Sequence, residues 1–432
     1  MTSRLDARHA LIRQHGVPDN WKDVLLGDVA DVIGGGTPSR DEGRYWQCGD
    51  IPWATPTDLT ALQGKYLRST AEQITAAGLA GSAASKLPVC SVLYTSRATI
   101  GAKAIAAVEV ATNQGFASFV PHGIDGEYLY YLLDLATPII KRLGAGTTFD
   151  EVSKRDIRKV HCAIPISADE QSAIARVLDA VDVAIERARD AVEKAQTIRR
   201  ALMQAAFSYG MTSETSHDTD AGRIPKSWEA LKGKQAFSVL TGGNCSVYAL
   251  KPLRGDDVAN AWFMKVDDFN LPANLRQIVT TQIGFVGSKN PGFKLLPVGT
   301  IIIAKRGAAI LKNRVRTTAV PIALDPNLMA LKVRDDILPE FFRYQLEWRN
   351  LTRYVESSGV PQLNNKDLYP RWFVRAPEDQ QKDIVAVISA AEQHEDALRS
   401  KLDALNALKR SLMHDLLTGT VRVDPALFKE QQ

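Results

Sequence analysis

The sequence predicts an α+β protein made of two tandem α+β domains separated by two long helices, which pack as an antiparallel coiled-coil pair and give one chain an internal pseudo-two-fold symmetry. Three observations lead there. Residues 169–209 match residues 379–419 without a gap, so that Asp169, Gln171, Ile174, Val177, Ala180, Arg189, Arg200, Leu202 and Met203 fall on Asp379, Gln381, Ile384, Val387, Ala390, Arg399, Arg410, Leu412 and Met413. Both stretches carry apolar residues every three or four positions, the mark of one face of a helix. The segments before them hold short β-rich runs punctuated by Gly, Pro and Asn, followed by helical stretches.

Taken in chain order, residues 1–16 read as a helical segment and 17–165 as the first domain, with "CSVLY" as a strand and "GEYLYYLLDLATPIIKRL" as a helix. Residues 166–209 form the first long helix. Pro165 precedes it, Asp169 and Glu170 suit the positive end of its dipole, and its stripe is Ile174, Leu178, Val181, Ile185, Ala188, Val192, Ala195, Ile198, Leu202 and Ala206. Residues 210–223 are a polar linker without periodicity, and 224–377 are the second domain, with "TIIIAKR" as a strand. The second long helix, 378–419, follows Pro377 and opens with Glu378 and Asp379. Its stripe is Ile384, Ile388, Ala391, Glu395, Leu398, Leu402, Leu405, Leu408, Leu412 and Leu416, with one polar interruption at Glu395. Gly210 and Gly419 suit the left-handed turn that ends a helix. Each helix should reach roughly 60 Å at about 1.5 Å per residue. Residues 420–432 are a tail.

The domains repeat as well. "VPDNWKDVLLGDVADVIGGGTP" aligns with "IPKSWEALKGKQAFSVLTGGNCS", pairing Pro18 with Pro225 and Trp21 with Trp228. "KLPVCSVLYTSRATIGAKA" aligns with "LLPVGTIIIAKRGAAILKN", pairing Arg97 with Arg306. "ATNQGFASFV" echoes "DPNLMALKV", and "EYLYYLL" echoes "EFFRYQL".

Composition excludes several classes. With 432 residues, 45% of them hydrophobic, the chain can bury more than one core. It has no apolar run of membrane-spanning length and no signal-peptide core in "MTSRLDARHALIRQHGVPDN", which places it in the cytoplasm as an expectation. Cys48, Cys90, Cys162 and Cys245 lack the spacing of a zinc site. No HExxH, GxxxxGK[ST], GxSxG or SxxK motif is present, nor the Asn-Pro-Pro-aromatic or Asp-Pro-Pro-Tyr tetrad that holds a flipped base, so no catalytic residue and no metal ligand is assigned. "GGGTP" at 34–38 lacks the GxGxxG spacing of a dinucleotide site and reads as a turn or a loop facing nucleic acid.

The net charge of +4 says little, but its distribution says more. From Phe269 to Leu324 there is no Asp or Glu, while Arg276, Lys289, Lys294, Lys305, Arg306, Lys312, Arg314 and Arg316 lie there. Residues 73–108 are likewise free of acid and hold Lys86, Arg97 and Lys103. A basic stretch repeated in both domains favours phosphate binding over a solvated face. The candidate DNA contacts are Arg97, Lys103, Lys294, Arg306, Lys312, Asn313, Arg314 and Arg316. The candidate loops beside the duplex are Gly34, Gly35, Gly36, Thr37 and Pro38, and Gly242, Gly243 and Asn244.

"WKDVLLGDVADVIGGGTP", "GDIPWATPTDL", "TNQGFASFV", and the helices opened by "DEQSAI" and "DQQKDI" and closed by "RRALMQ" and "KRSLMHDLLTG" together resemble the specificity subunit of type I restriction-modification enzymes over nearly the whole chain. The resemblance implies two target-recognition domains, each reading one half of a bipartite site in double-stranded DNA. The helices would act as the spacer and as the dock for two methyltransferase subunits and, through them, restriction/translocase subunits. S-adenosylmethionine, ATP and Mg²⁺ would then belong to those partners, with no cofactor on this chain. The docking residues would be Leu178, Ile185, Leu202, Met203, Leu398, Leu412 and Met413, for which core packing is the alternative. The second domain departs from the pattern, with "AWFMKVDDFN" where the first has "IPWATPTDLT" and "SSGVPQLNNKDL" only loosely matching "GAGTTFDEVSKRDI". A stand-alone DNA-modifying enzyme and a helical protein scaffold without DNA binding are the rival readings.

Overall fold

The structure is a computed structural model that describes residues 16–97, 99–144, 151–241, 251–252, 261–285, 295–355 and 360–431. Nearly all of the expected N-terminal helix, 1–15, lies outside the described residues, as do Gly242, Gly243, Asn244, Lys289 and Lys294. Contacts divide the chain into two compact units: Met1–Asp190 with Arg399–Gln432, and Ala191–Leu398. Each unit thus holds one α+β domain and a stretch of both long helices.

The first unit contains strands β1 (Trp21–Leu25), β2 (Ala30–Gly34), β3 (Ile51–Ala54), β4 (Tyr66–Leu67), β5 (Glu72–Ile74), β6 (Val92–Tyr94), β7 (Lys103–Ala106), β8 (Ala111–Thr112), β9 (Ala117–Pro121) and β10 (His161–Pro165), with helix α1 (Gly126–Gly144). They form a five-stranded sheet ordered β2-β9-β6-β7-β4, a three-stranded sheet β5-β3-β8 and a pair β1-β10. β4 runs parallel to β7 and β3 parallel to β8, and the other pairs are antiparallel. Val92, Leu93 and Tyr94 are fully buried, so the central strand reads as an unbroken apolar run and not as an alternation. Tyr128, Tyr131, Leu132 and Ile139 of α1 close one side of this core together with Ile174 and Leu178.

The second unit contains β11 (Ser216–Thr219), β12 (Gly222–Pro225), β13 (Glu229–Lys232), β14 (Phe237–Thr241), β15 (Lys251–Pro252), β16 (Ala261–Met264), β17 (Gln277–Ile278), β18 (Ile283–Phe285), β19 (Ile301–Ala304), β20 (Val315–Thr318), β21 (Ile322–Leu324), β22 (Leu328–Val333) and β23 (Trp372–Arg375). Its five-stranded sheet is ordered β14-β22-β19-β20-β17, its second sheet β15-β18-β16-β21, and β13 pairs with β23. The parallel pairs are again the equivalent ones, β17 with β20 and β16 with β21. The duplication seen in the sequence is therefore a duplication of topology.

That match fixes the register where the sequences diverge. Asp58 accepts from the N–H groups of Thr55 and Ala71, both at 2.8 Å. Asp268 accepts from Lys265 at 2.7 Å and Gln282 at 2.9 Å, so "AWFMKVDDF" does take the place of "IPWATPTDL". In the other loosely matched stretch, Val152 donates to the Ser96 carbonyl and Leu363 to the Lys305 carbonyl, which pairs the two segments residue for residue. The gapless pairing of Lys103 with Lys312 does not hold. β6 and β7 are joined by 95–102 but β19 and β20 by the longer 305–314, and Lys103 lies opposite Tyr94 where Val315 lies opposite Ile303.

The long helices are α2 (Ala168–Tyr209) and, after α3 (Pro339–Arg349), α4 (Glu378–Leu417). In the first unit Glu170 binds Arg422 beyond the end of α4, and Asp182 binds Lys409. In the second, Arg199 binds Glu395, and the chain just past α2 meets Gln380 at the start of α4. Within each unit the two helices therefore run antiparallel.

Gly210 and Gly419 have φ of 73° and 72°, as the helix endings require. They are also tightly packed: a Cβ on Gly210 would stand 2.9 Å from Pro225, and one on Gly419 2.6 Å from Pro18 and 3.1 Å from Trp21. The repeated Pro-x-x-Trp is thus the seat of a helix end.

Two expectations need correction. The apolar stripe does not include Ile198 or Leu408, which are 58% and 47% exposed and occupy equivalent places in the two copies. On α2 the stripe passes through Arg199, because the buried Glu395 on α4 requires a cation there, at 2.9 Å. The linker is not structureless either: β11 and β12 form a hairpin whose turn is closed by the Thr219 hydroxyl bonding the Gly222 carbonyl at 2.7 Å, with Gly222 at φ 103°.

Candidate nucleic-acid interface

Past β6, the chain continues as Thr95-Ser96-Arg97, bridging Thr95 to Phe116 and Arg97 to Glu151. Ser96 N–H donates to the Gly115 carbonyl at 2.8 Å, and Val152 N–H to the Ser96 carbonyl at 3.1 Å. In the second unit Lys305 N–H donates to the Asn327 carbonyl at 2.8 Å, Leu363 N–H to the Lys305 carbonyl at 2.9 Å, and Arg306 bridges to Gln362. Arg97 and Arg306 therefore sit at the same place in two copies, each exposed at a strand end. Arg97 holds Glu151 at 2.7 Å, with both side chains more than two-fifths exposed, so the pair is weak and can be exchanged for a phosphate.

The neighbouring turn is duplicated too. Asn113 accepts from Gly115 N–H at 2.9 Å, and Asp325 from Asn327 N–H at 2.8 Å. These turns present Gln114 and Asn327, both exposed, beside the arginines. The short helices that follow, Lys154–Ile157 and Asn365–Leu368, add exposed Lys154, Arg155 and Lys366. These five residues were absent from the sequence-based candidates. The faint signal for them was the echo of "ATNQGF" in "DPNLM" and of "SKRD" in "NNKD".

Several predicted contacts turn inward. Lys103 is buried, with its ammonium 2.8 Å from Asp134, 2.6 Å from the Tyr130 carbonyl and 3.4 Å from the Tyr130 ring. Burial pushes its pKa down to about 8 despite Asp134. Arg316 binds the Glu347 carboxylate at 3.4 Å and the Asn274 carbonyl at 3.3 Å. Asn313, at φ 46°, donates to the Glu347 carbonyl at 2.9 Å and accepts from Leu351 N–H at 2.8 Å, joining the end of α3 to the next turn. Arg314 grips the Asn270 side chain at 2.5 Å and the Phe269 carbonyl at 3.0 Å. Lys312 is exposed. The stretch without acidic residues is thus partly compensated from elsewhere in its unit, Arg276 also pairing with Asp396.

Gly35 and Gly36 serve packing, whereas Gly34, at the end of β2, has only the tip of the Lys154 side chain beside it. Gly36 N–H donates to the Thr112 carbonyl at 2.9 Å and its own carbonyl accepts from the Trp53 indole at 3.0 Å, while a Cβ on Gly35 would collide with the Thr112 and Asn113 carbonyls. The seam joins the two sheets of the first unit and leaves no room for side chains. Pro38 is buried, and the exposed Thr37 donates its hydroxyl to Gln114.

The predicted docking residues are mostly internal. Leu178, Ile185 and Met203 are buried, and Leu412 and Met413 pack on the first core. Leu202 and Leu398 are partly buried. On the two long helices the large apolar side chains that are exposed are Val183, Ile198, Leu408 and, at the last residue of α2, Tyr209. Among the described residues no group of three His, Cys, Asp or Glu is placed to hold a metal ion, and no helix is long and apolar enough to cross a membrane.

The duplicated domain, the paired helices and the repeated basic strand end define a class that known proteins make specific: residues 18–194 match the type I restriction modification DNA specificity domain. The type I restriction enzyme MjaIX specificity subunit of Methanocaldococcus jannaschii is 26% identical over 94% of this chain and 95% of its own length. The EcoR124I/EcoR124II specificity subunit of Escherichia coli is 31% identical over 38% of this chain and 40% of its own. The S subunit of a type I restriction-modification system from M. genitalium shares the fold at a TM-score of 0.56 and 14% identity, with 92% of this chain and 96% of that one covered. Over nearly its whole length the chain is thus similar to a type I restriction enzyme specificity subunit, and residues 18–194 carry the specificity domain itself.

Proposed function

We propose that this chain reads a bipartite target in double-stranded DNA, one half-site per repeat, and makes and breaks no bonds itself. The observation that carries this reading is the arginine-bearing strand end repeated bond for bond at Arg97 and Arg306. Arg97, Arg306, Lys154, Arg155 and Lys366 supply phosphate contacts, while Gln114 and Asn327 stand beside them with amide groups suited to base edges. Two copies free to diverge in these residues allow two different half-sites. A good bidentate contact discriminates by only about 1 to 3 kcal/mol, so joining two readers is what makes one site unique.

In this reading α2 and α4 space the half-sites, and two methyltransferase subunits dock on the equivalent exposed Ile198 and Leu408, with restriction/translocase subunits joining through them. S-adenosylmethionine, ATP and Mg²⁺ act on those partners, and the assembly works in the cytoplasm. The test is a titration of DNA binding against salt. Neutralising phosphates must give a steep fall in affinity with rising salt, and a flat dependence, or methylation or cleavage by this chain alone, contradicts the reading.

A further inference from the structure

In the second unit, a cleft of about 590 Å³ lies between the end of α2, the hairpin β11–β12 and the end of α3. Trp348 and Phe207 stack on one wall with ring centroids 5.3 Å apart, and Arg349 and Arg223 both line the space. Arg349 is partly buried, and its Nε is sealed from solvent without a hydrogen-bond partner. Its remaining contacts are neutral: the Ala221 carbonyl at 3.5 Å, the Tyr354 hydroxyl, and the faces of Trp348 and Phe373 at 5.4 and 5.6 Å. Among the described residues no carboxylate pairs with it. Burial lowers its pKa, the sign of a charge held without full compensation.

The duplication supplies a control. The residue equivalent to Arg349 is Ala136, fully buried, and the places of Trp348 and Phe207 are taken by Leu135 and Leu417. The fold therefore closes this corner with apolar side chains in one copy, and a guanidinium in the other is not demanded by packing. An uncompensated, partly buried cation is costly, and an oxyanion bound by the guanidinium fork offsets that cost.

We propose that this cleft is an oxyanion site, taking a carboxylate or phosphate group on Arg349 with Arg223 at its mouth. It does not depend on the DNA-reading assignment. Isothermal titration of the full chain with inorganic phosphate, and separately with acetate, at constant ionic strength in a chloride background distinguishes the two chemistries. Saturable binding of one of them at a single site is expected, weakened tenfold or more in Arg349→Ala, which restores the residue of the first copy and should fold as that copy does. Absence of saturable binding of both anions to the unaltered chain overturns the proposal, whatever the variant does. Equal affinity in the folded variant overturns it as well.

Discussion

Gln171 and Gln381 do the same work in their two units. Gln171 accepts from Asp125 N–H at 2.8 Å and donates to the Pro165 carbonyl at 2.9 Å, and Gln381 accepts from Leu338 N–H at 2.7 Å and donates to the Ala376 carbonyl at 2.8 Å. Both are buried, and each ties the first turn of a long helix to the start of the domain helix α1 or α3 and to the strand before it.

Replacing Gln171 with Leu takes the partner from a half-buried N–H and from the buried Pro165 carbonyl, and replacing Gln381 with Leu takes it from a half-buried N–H and from the carbonyls of Ala376 and Asp336. Each substitution should cost about 2 kcal/mol or more of stability. Urea denaturation measures it, and a loss below about 0.5 kcal/mol would show the clamp to be incidental.

Inward and outward cations should separate in their effects. Lys103→Gln and Arg316→Gln lower the melting temperature, since they strip partners from Asp134 and Glu347, and leave the salt slope of DNA binding unchanged. Arg97→Gln and Arg306→Gln leave the melting temperature unchanged and each reduce the salt slope by about one.

Asp58 and Asp268 make equivalent backbone bonds yet shift in opposite directions. At Asp58, bonds from Thr55 and Ala71 overcome burial and hold the carboxyl below its usual range, whereas at Asp268 deeper burial and the adjacent Asp267 hold it above. Stability from Asp58 is therefore complete above the ordinary carboxylate pKa of about 4 and is lost as pH falls through the lowered value. That from Asp268 increases as pH falls through the raised value. The destabilisation caused by Asp58→Asn should shrink on acidification, and that caused by Asp268→Asn should grow. Denaturation between about pH 3 and 6 checks both signs.

Ile198→Asp and Leu408→Asp, at exposed positions, should leave folding intact and weaken assembly with methyltransferase subunits tenfold or more. Size-exclusion of the reconstituted complex reads the outcome, and unimpaired assembly would move the dock elsewhere.

The repeat was legible because helical periodicity and the Pro-x-x-Trp and Gly landmarks are local features of the chain. Even the identity of Gln171 with Gln381 was visible, though its role was not, since both partners are backbone groups of other elements. The charge pattern misled for a related reason. A stretch without acids looks uncompensated, yet Arg276 finds Asp396 and Arg316 finds Glu347 only once the chain folds. Arg97 and Arg306 were paired correctly because no length change separates them from Pro88 and Pro297. Lys103 was misplaced because the longer link in the second copy follows them. At Cys90 and Gly299, the equivalent positions both adopt positive φ, 69° and 82°, a constraint that only the glycine of the second copy announces.

The spacing of the DNA target is the most direct measure of two readers held apart by α2 and α4. Methylated sites should be mapped in cells carrying this chain with its partner subunits, and again after deletion of seven residues from each of α2 and α4. A single two-part motif is predicted, with its gap shortened by about three base pairs, from roughly 10 Å of helix at 3.4 Å per base pair. A motif with an unchanged gap, or methylation indifferent to the presence of the chain, would contradict it.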